Sequence, residues 1–245
     1  MRIALLADIH GNLVALETVL HEVAMESVDR IICLGDVAAL GPQPHEAIDR
    51  VRQLQCPVIL GNTDAWLLSP SGAKTSDSET LRTITSWCAE QLIPEDRSYL
   101  QTFSPLLEFP LDEGRTVLWY HGSPRSFDDV IAATTPDVVV EQMLAGFAAT
   151  VMVGGHTHIQ MIRRYKDAYL VNVGSVGLPG VNAGSPALPD NHHVHWAEYA
   201  LLSIEAGRLS IDLRRTPLDM TTVLNTGTCS GMPHIEWWMQ KWEHN

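Results

Sequence analysis

The sequence predicts an α/β protein whose sheet is at least partly parallel. Six short apolar runs recur along the chain, and each is followed by a polar or Gly-rich cluster. Unbroken runs of this length suit strands that are buried on both faces, with helices or a second sheet covering them. Helical segments separate the first runs, and such alternation places ligands at the carboxyl ends of the strands. We therefore expect the polar clusters to lie together along one edge of the sheet, at the carboxyl ends of the strands.

Each predicted strand is defined by its apolar run. The runs span residues 3–7, 31–34, 57–60, 117–120, 151–153 and 169–171. The clusters that follow them lie at 8–12, 35–36, 61–64, 121–123, 154–158 and 172–175. With 245 residues and 45% hydrophobic content, the chain can bury one sizeable core without a second domain.

Helices are predicted between the first strands and after the third. One begins near Asn12 and places four apolar side chains on one face, namely Leu13, Leu16, Leu20 and Val23. Another spans residues 44–53. Residues 66–110 interrupt the alternation of predicted strands and helices. A Ser/Gly/Lys/Thr-rich stretch at 69–78 precedes an amphipathic helix that carries Leu81, Ile84, Cys88 and Leu92. We interpret 66–110 as a cap-like insertion in a main domain that spans residues 1–215.

The C-terminal part is predicted to hold a loop, a hairpin and an extension. Residues 177–193 are rich in Gly, Pro, Asn and Ala, and 199–204 and 209–213 predict strands that turn at Ala206 and Gly207. In the extension, residues 216–245, one helical face could hold Ile235, Trp238 and Trp242. For this Trp-rich segment, which also includes Trp237, packing on its own domain and a homodimer contact are the two alternatives.

Charge and cysteine usage exclude several classes of protein. The net charge of −13 and isoelectric point near 5.2 oppose loose attraction to nucleic acid or anionic membrane, so a nucleic acid would have to be gripped locally, as a nucleotide-type substrate. The cysteines form no Cys-x-x-Cys pair, so neither a disulfide framework nor a thiolate zinc site is predicted. The N-terminal run is too short for a signal peptide, and no stretch approaches transmembrane length, so we expect a cytoplasmic protein.

Polar side chains in the clusters form a candidate metal site. Asp8 and His10 are two residues apart, as are His156 and His158, and at an extended strand end this spacing points both members of a pair to one face. Asp36 can bridge two cations through its separate oxygens. The complete set is Asp8, His10, Asp36, Asn62, His121, His156 and His158.

The ligand types indicate the metal and the chemistry. Mixed imidazole, carboxylate and amide ligation suits Mn²⁺, Zn²⁺ or Fe²⁺ better than Mg²⁺, which prefers oxygen ligands and retained water. Two cations about 3.5–4 Å apart lower the pKa of a bridging water and clamp phosphoryl oxygens during in-line displacement at phosphorus. They also outweigh two carboxylates, which leaves a positive pocket in an acidic protein. The sequence therefore predicts a dinuclear metal site for a phosphoester.

These residues, in this order, resemble the calcineurin-like metallophosphoesterase superfamily. The shared pattern is Asp8-x-His10, Gly35-Asp36, Gly61-Asn62, His121 and Gly155-His156-x-His158. The neighbouring residues at 8–12, 40–42, 121–125 and 171–177 are similar to a small bacterial and archaeal branch of predicted phosphodiesterases. The resemblance covers roughly residues 1–215.

The resemblance implies a fold, a ligand assignment and a nucleophile. The fold is a four-layer α/β/β/α sandwich of two mixed β-sheets flanked by helices. A bridging hydroxide would be the nucleophile, and Asn12 and the backbone near Gly174 and Ser175 would line the substrate site. Asn12 fits the role of a helix cap equally well. The first metal would be held by Asp8, His10, Asp36 and His158, and the second by Asp36, Asn62, His121 and His156.

The chain departs from the family after Asn62. Many members carry a histidine there that protonates the leaving oxygen, but this chain has Thr63 followed by Asp64. A threonine hydroxyl donates a hydrogen bond, yet its pKa is too high for general-acid catalysis. The candidate catalytic residues are therefore Asp36, Asn62, Thr63 and Asp64, with weak turnover expected for poor leaving groups.

A second departure concerns phosphate binding. Residues 178–180 read Leu-Pro-Gly where relatives often carry an arginine. Arg125 is the candidate replacement, and a solvated loop charge is an equally good interpretation of it. His192, His193 and His195 could look like a third metal cluster, but loop histidines without fixed hydrogen-bond partners bind metal adventitiously, so we assign no site to them.

Three functions remain open from the sequence. The first is hydrolysis of phosphodiesters or phosphomonoesters, with diesters favoured by the branch resemblance. The second is hydrolysis of nucleotides or dinucleoside polyphosphates, for which Trp66, Trp87 and Trp119 would stack on bases unless they pack in the core. The third is a catalytically weak metal-binding scaffold for protein partners. The intact ligand set opposes the scaffold, whereas Thr63 mildly favours it.

Overall fold

Two mixed β-sheets form the centre of the computed structural model, which describes residues 1–69, 78–112, 114–181 and 192–243. The four-stranded sheet has the order β2-β1-β8-β9, formed by β1 (Arg2–Leu6), β2 (Arg30–Cys33), β8 (Trp196–Glu205) and β9 (Arg208–Pro217). The five-stranded sheet has the order β3-β4-β5-β7-β6, formed by β3 (Leu107–Pro110), β4 (Thr116–Trp119), β5 (Val151–Gly154), β6 (Met161–Tyr165) and β7 (Ala168–Asn172).

Each sheet contains both parallel and antiparallel strand pairs. In the four-stranded sheet β1 pairs in parallel with β2, and in the five-stranded sheet β5 pairs in parallel with both β4 and β7. Met152 of β5, for example, is in register with Leu118 on one side and Leu170 on the other. The remaining pairs are antiparallel. Six of the seven predicted metal ligands follow the carboxyl ends of β1, β2, β4 and β5, and Asn62 follows the segment 57–60.

Helices cover the outer faces of the two sheets. They are α1 (Leu13–Met25), α2 (Pro44–Leu54), α3 (Asn62–Leu68), α4 (Glu79–Gln91), α5 (Pro94–Leu100), α6 (Asp137–Met143), α7 (Met220–Cys229) and α8 (Ile235–Gln240). Asn12 caps α1, because its side chain accepts a hydrogen bond from the Ala15 N–H. The predicted helices at 13–23, 44–53 and 81–92 are thus confirmed to within a few residues.

The central strands are apolar throughout because both of their faces are buried. In β1, Ile3 and Leu5 face a core between the two sheets, whereas Ala4 and Leu6 face a second core beneath α1 and α2. A third core lies between the five-stranded sheet and α6, where Leu118 packs in one cluster with Val140. Three cores between four layers confirm the predicted α/β/β/α sandwich.

Five of the six predicted strands are present, and the sixth is reduced to single bridges. Residues 57–60 run beside β2, but only Val58 and Ile59 pair, with Cys33 and Ser104 respectively. The prediction of a full strand there was wrong, because the segment is hydrogen-bonded too briefly to continue the sheet. Strands β3 and β6 were not predicted, since their half-exposed side chains interrupt the apolar run.

The predicted hairpin and the Trp-rich extension both have a place in the fold. Ala206 and Gly207 form the turn with positive φ between β8 and β9, and both strands are longer than predicted. Trp238 of α8 and Trp242, which follows that helix, are buried in the same core cluster as Leu16 of α1. The extension therefore packs on its own domain. The domain boundaries, the cap-like insertion and a homodimer contact remain predictions, and most of loop 177–193 falls on residues 182–191, outside the described chain.

No helix in the described ranges has both the length and the apolar character needed to cross a membrane. The four cysteines, Cys33, Cys56, Cys88 and Cys229, carry free thiols.

Candidate metal centre

Two groups of potential metal ligands converge at the carboxyl ends of the central strands. Within each group the ligand atoms all lie within 4.8 Å of one another. The first group is Asp8, His10 and His158, and the second group is Asp36, His121 and His156. Asn62 adjoins the second group, with its Oδ1 atom 3.1 Å from His121 Nε2 and 3.0 Å from His156 Nδ1. All seven residues that the sequence singled out are therefore brought together.

The ligands lie in loops with an unusual backbone conformation rather than on strand ends. Strand β1 ends at Leu6, and Asp8 and His10 have φ of 54° and 48°. Asp36, His156 and His158 share this left-handed conformation. The prediction that Asp8 and His10, and likewise His156 and His158, project from extended strand ends was therefore wrong in its geometry. Asp8, His10 and His158 nevertheless belong to the first group, and His156 belongs to the second. Such backbone strain costs about 1–3 kcal/mol per residue and occurs mainly at functional sites.

Backbone carbonyls fix the imidazoles of the first group. The Nδ1 atom of His10 lies 2.9 Å from the Ala39 carbonyl, and that of His158 lies 2.7 Å from the Leu178 carbonyl. Because a carbonyl only accepts, each Nδ1 carries the proton and each neutral ring keeps a lone pair on Nε2. The two Nε2 atoms are 3.0 Å apart. Two lone pairs facing each other at this distance repel unless a cation or a proton lies beside them.

The second group shows the same convergence of acceptors. The Leu34 carbonyl accepts from His121 Nδ1 at 2.7 Å, so His121 Nε2 carries the lone pair of the neutral ring. This Nε2 atom lies 3.3 Å from Asp36 Oδ2. Asp36 Oδ2 is also 3.7 Å from His10 Nε2, so the Asp36 carboxylate reaches toward both groups.

Asp8 contributes a buried oxygen with no hydrogen-bond partner. Its Oδ2 atom accepts from the His156 N–H at 2.9 Å, but its Oδ1 atom has no partner and lies 3.3 Å from His158 Nε2. Burying a carboxylate oxygen without a partner is costly. The orphaned oxygen, the facing lone pairs and the mixed donor set therefore fit divalent cations bound between these side chains.

Without metal, each group pairs one imidazole that binds a proton with one that stays neutral. Burial lowers the pKa of His10 to about 4, and burial with the charge of His121 lowers that of His156 to about 4. Burial also opposes protonation of His121, but the charge of Asp36, whose Oδ2 lies 3.3 Å from His121 Nε2, prevails and raises the pKa of His121 to about 10. The charge of Asp8 likewise prevails over burial and raises the pKa of His158. A bound metal takes the place of these protons, because only a deprotonated nitrogen coordinates.

Asp64 holds the loop that carries Asp36. Its carboxylate accepts hydrogen bonds from the backbone N–H groups of Gly61, Asp36 and Val37 at 3.1, 2.8 and 2.9 Å. Burial and the neighbouring charge of Asp36 raise the pKa of Asp64 to about 7. These contacts give Asp64 a positioning role. Thr63 donates its backbone N–H to Asp36 Oδ1 at 2.9 Å, and its buried hydroxyl has no partner.

The four candidate substrate residues differ in how far other contacts already engage them. Besides capping α1, Asn12 donates from Nδ2 to the Gly177 carbonyl at 3.0 Å. Ser175 donates from its hydroxyl to the Asp8 carbonyl at 2.7 Å, so it supports the first group. Gly174 has φ of 79°, and a Cβ there would lie 2.2 Å from Glu198 Oε2. Arg125 is exposed. Contact of any of the four with a substrate remains a prediction.

Asn172 supports the candidate metal centre, and the sequence assigned no role to it. Its side-chain amide donates to the Gly155 carbonyl and, at 2.9 Å, to Thr157 Oγ1, which shapes the turn that presents His156 and His158. Gly155 is required in that turn, because a Cβ there would lie 2.5 Å from Asp8 Oδ2. The sequence signal that could have identified Asn172 is the motif at 171–177, in which it is the second residue.

The remaining histidines and tryptophans have other partners. Within the described chain, no third group of metal ligands is found at His192, His193 and His195. Trp119 lies in the core between the sheets and stacks on Phe109 with ring centroids 5.6 Å apart, so it is not a base-stacking residue. Trp87 packs against the helix-side core, and Trp66 is half-buried.

Comparisons with known proteins agree with this geometry. The family model described as the calcineurin-like phosphoesterase superfamily domain matches residues 1–207. An uncharacterized protein of Methanocaldococcus jannaschii is 27% identical over 230 residues, which cover 87% of this chain and 89% of that protein. The crystal structure of a metallophosphoesterase from Sphaerobacter thermophilus is similar at 25% identity and a TM-score of 0.74, with 98% of each chain covered. The crystal structure of a hypothetical protein from Pyrococcus horikoshii is similar at 20% identity and a TM-score of 0.81, with 97% of each chain covered. The chain belongs to the calcineurin-like phosphoesterase superfamily.

Proposed function

We propose that the protein is a metal-dependent phosphoesterase that holds two divalent cations and hydrolyses small phosphodiesters. The observation that carries this proposal is the convergence of acceptor atoms within each group, above all the 3.0 Å between His10 Nε2 and His158 Nε2 of the first group. Membership of a phosphoesterase superfamily and similarity to a metallophosphoesterase support the same function.

Each cation would be held by one group, with Asp36 shared. The first would be bound by Asp8, His10, Asp36 and His158, and the second by Asp36, Asn62, His121 and His156. This donor set favours Mn²⁺, Zn²⁺ or Fe²⁺ over Mg²⁺. When bound, two such ions lower the pKa of a water for in-line attack and neutralise charge on the phosphoryl oxygens.

The residues of the chain would position and enclose the reacting groups. Asp64 and Ser175 hold the loops that carry Asp36 and Asp8. The burial of Asp8, His10 and His121 excludes bulk water and strengthens electrostatic interactions at the site. Thr63, in the position where relatives carry histidine, cannot protonate a leaving oxygen near neutral pH. We therefore expect substrates whose leaving group needs no proton, such as aryl esters, to react fastest.

The test combines metal analysis with two substrates. Purified protein should contain close to two divalent ions and, with Mn²⁺, hydrolyse an aryl phosphodiester faster than the corresponding aryl phosphomonoester. The same preparation stripped with a chelator is the matched control, and its activity should return when Mn²⁺ is added. Stoichiometric metal without turnover of any ester would favour the scaffold alternative, and a preference for nucleotide or dinucleoside-polyphosphate substrates would favour the second alternative.

A further inference from the structure

The chain that follows the metal centre is anchored on both sides of a critical carbonyl. The Leu178 carbonyl, which accepts from His158 Nδ1, belongs to the peptide that joins Leu178 to Pro179. On the near side, the Leu178 N–H donates to Ser175 Oγ at 2.8 Å. On the far side, the Val194 N–H donates to the Pro179 carbonyl at 3.0 Å, and Gly180 bridges to His193. The orientation of this carbonyl therefore depends on residues 193 and 194.

Residues 193–195 are in turn held by the C-terminal segment. The His193 N–H donates to the Lys241 carbonyl at 2.6 Å, and His195 Nε2 donates to the Trp242 carbonyl at 2.7 Å. The rings of His193 and Trp242 are in contact, with centroids 4.8 Å apart. We call His193, His195, Lys241 and Trp242 the tail clasp. Because Trp242 is 1% exposed and belongs to the helix-side core, the clasp ties the loop to a rigid part of the fold.

We propose that the tail clasp positions His158 and thereby sets the metal affinity of the first group. This inference rests on the proposed function in that the first group binds a cation. The path has three steps. Trp242 and Lys241 hold His193 and His195, and then His193 and Val194 hold Gly180 and Pro179. Finally, the Leu178 carbonyl, which precedes Pro179, orients the His158 ring. The clasp residues are positioning residues. They act as outer hydrogen-bond partners do at other metal sites, where their loss lowers metal affinity by about 10–100-fold.

The second group has its main anchor in the sheet and provides an internal control. His121 donates to the Leu34 carbonyl, and the Leu34 N–H donates to the Leu6 carbonyl at 2.7 Å. This anchor joins the ends of β1 and β2 and has no contact with the tail clasp in the ranges that the structure describes. Loss of the clasp should therefore weaken one metal group and spare the other.

The experiment compares two clasp variants with a stability control. His195→Phe removes the hydrogen bond to Trp242 while keeping a ring, and Trp242→Ala removes the ring contact with His193. Val223→Ala truncates a buried side chain of α7 elsewhere in the same core. Mn²⁺ is the probe, with affinities from calorimetry and the occupancy of each group from anomalous diffraction. We expect about tenfold weaker Mn²⁺ binding at the first group in both clasp variants. Binding at the second group should change less than twofold, and Val223→Ala should lower only the melting temperature.

A metal-free measurement separates this proposal from the proposed function. Hydrogen exchange of the backbone amides of Leu178, Gly180 and Val181, recorded after chelation, should be several-fold faster in both clasp variants and unchanged near Leu34. If wild-type protein binds no Mn²⁺ but the exchange result holds, the proposed function fails while the clasp stands as a structural element. Unchanged exchange, or equal loss of Mn²⁺ from both groups, would overturn the clasp. If Trp242→Ala does not fold, His195→Phe alone decides.

Discussion

The two metal groups use the same residue types but are held in different ways. In the first group both imidazoles donate from Nδ1 to loop carbonyls, those of Ala39 and Leu178. In the second group only His121 does so, whereas His156 turns its Nδ1 toward Asn62. His156 is also half-buried, while the three residues of the first group are buried. The first group is thus enclosed and fixed by distant loops, and the second is more open and partly fixed by its own side chains.

This difference indicates separate roles for the two groups. An enclosed group whose rings are fixed before metal arrives loses little side-chain freedom on binding, so it should bind its ion more tightly. We expect substrate and solvent to approach the site at the more open group, which His156 leaves half-buried. Variants of individual ligands test this contrast, and the largest effect is expected at Asp36, toward which both groups reach.

Asp36→Asn should have the largest effect, because Asp36 reaches toward both groups. Its replacement would remove a negative charge between the two proposed ions, which would together supply several kcal/mol of transition-state stabilisation. We expect kcat/KM for an aryl phosphodiester to fall by about 10³-fold. Asp212→Asn, an exposed carboxylate on β9, is the matched control and should be neutral. Near-normal turnover by Asp36→Asn would refute the shared-ligand assignment.

Single-ligand variants should separate the groups. His158→Ala should lower Mn²⁺ affinity at the first group by at least about 100-fold, because loss of a ligand exceeds loss of an outer partner. His156→Ala should do the same at the second group, and each variant is the control for the other. Anomalous diffraction at the manganese edge measures both occupancies. Loss of both ions in either variant would show that the two groups bind metal as one unit.

The metal-free protein should lose stability as the pH rises above neutral. In the fold the pKa of His121 is about 10, against 6.5 as the ordinary value, and that of His158 is also raised. A raised pKa contributes stability that is complete below pH 6.5 and is lost as the pH rises through the folded value. For His121 we expect the free energy of unfolding to fall by about 1 kcal/mol per pH unit in this window, and His158 should contribute in the same direction.

Metal should abolish this slope, because a coordinated imidazole carries no exchangeable proton at the ligating nitrogen. Denaturant titrations of chelated and Mn²⁺-loaded protein at pH 7, 8 and 9 measure the contrast. Equal stability of the chelated protein at pH 7 and pH 9 would argue against the proton-binding role of His121 and His158.

Thr63→His should have the smallest and most selective effect. Thr63 adjoins Asn62 of the second group and is 3% exposed, so a larger side chain has to displace its neighbours and costs about 1–3 kcal/mol of stability. The new imidazole would supply a proton donor, and we expect roughly tenfold faster hydrolysis of an alkyl phosphodiester with little change for an aryl one. Thr63→Gln, similar in size but unable to titrate, is the control. Equal changes on both esters would count against a missing proton donor.

The fold was predictable where burial on both faces makes a segment apolar along its whole length. Strands β1 and β5 are apolar on both faces, so their runs are visible in the sequence. Strands β3 and β6 were missed because one face is exposed, which places Glu108, Arg163 and Arg164 among their apolar residues. The segment 57–60 has the composition of a strand, but its pairing is decided by how long it stays beside β2, and composition does not encode that length.

The residue types and their order determined the candidate metal centre, because imidazole and carboxylate side chains after successive strands form a specific pattern. Tertiary structure alone decided how those ligands are held. The left-handed backbone at Asp8 and Asp36 has no composition signal, since neither residue is glycine. The carbonyls of Ala39, Leu34 and Leu178 orient rings through backbone atoms that every residue possesses. The contact of His195 with Trp242 spans 47 positions, and only packing of the tail on the core brings those two residues together.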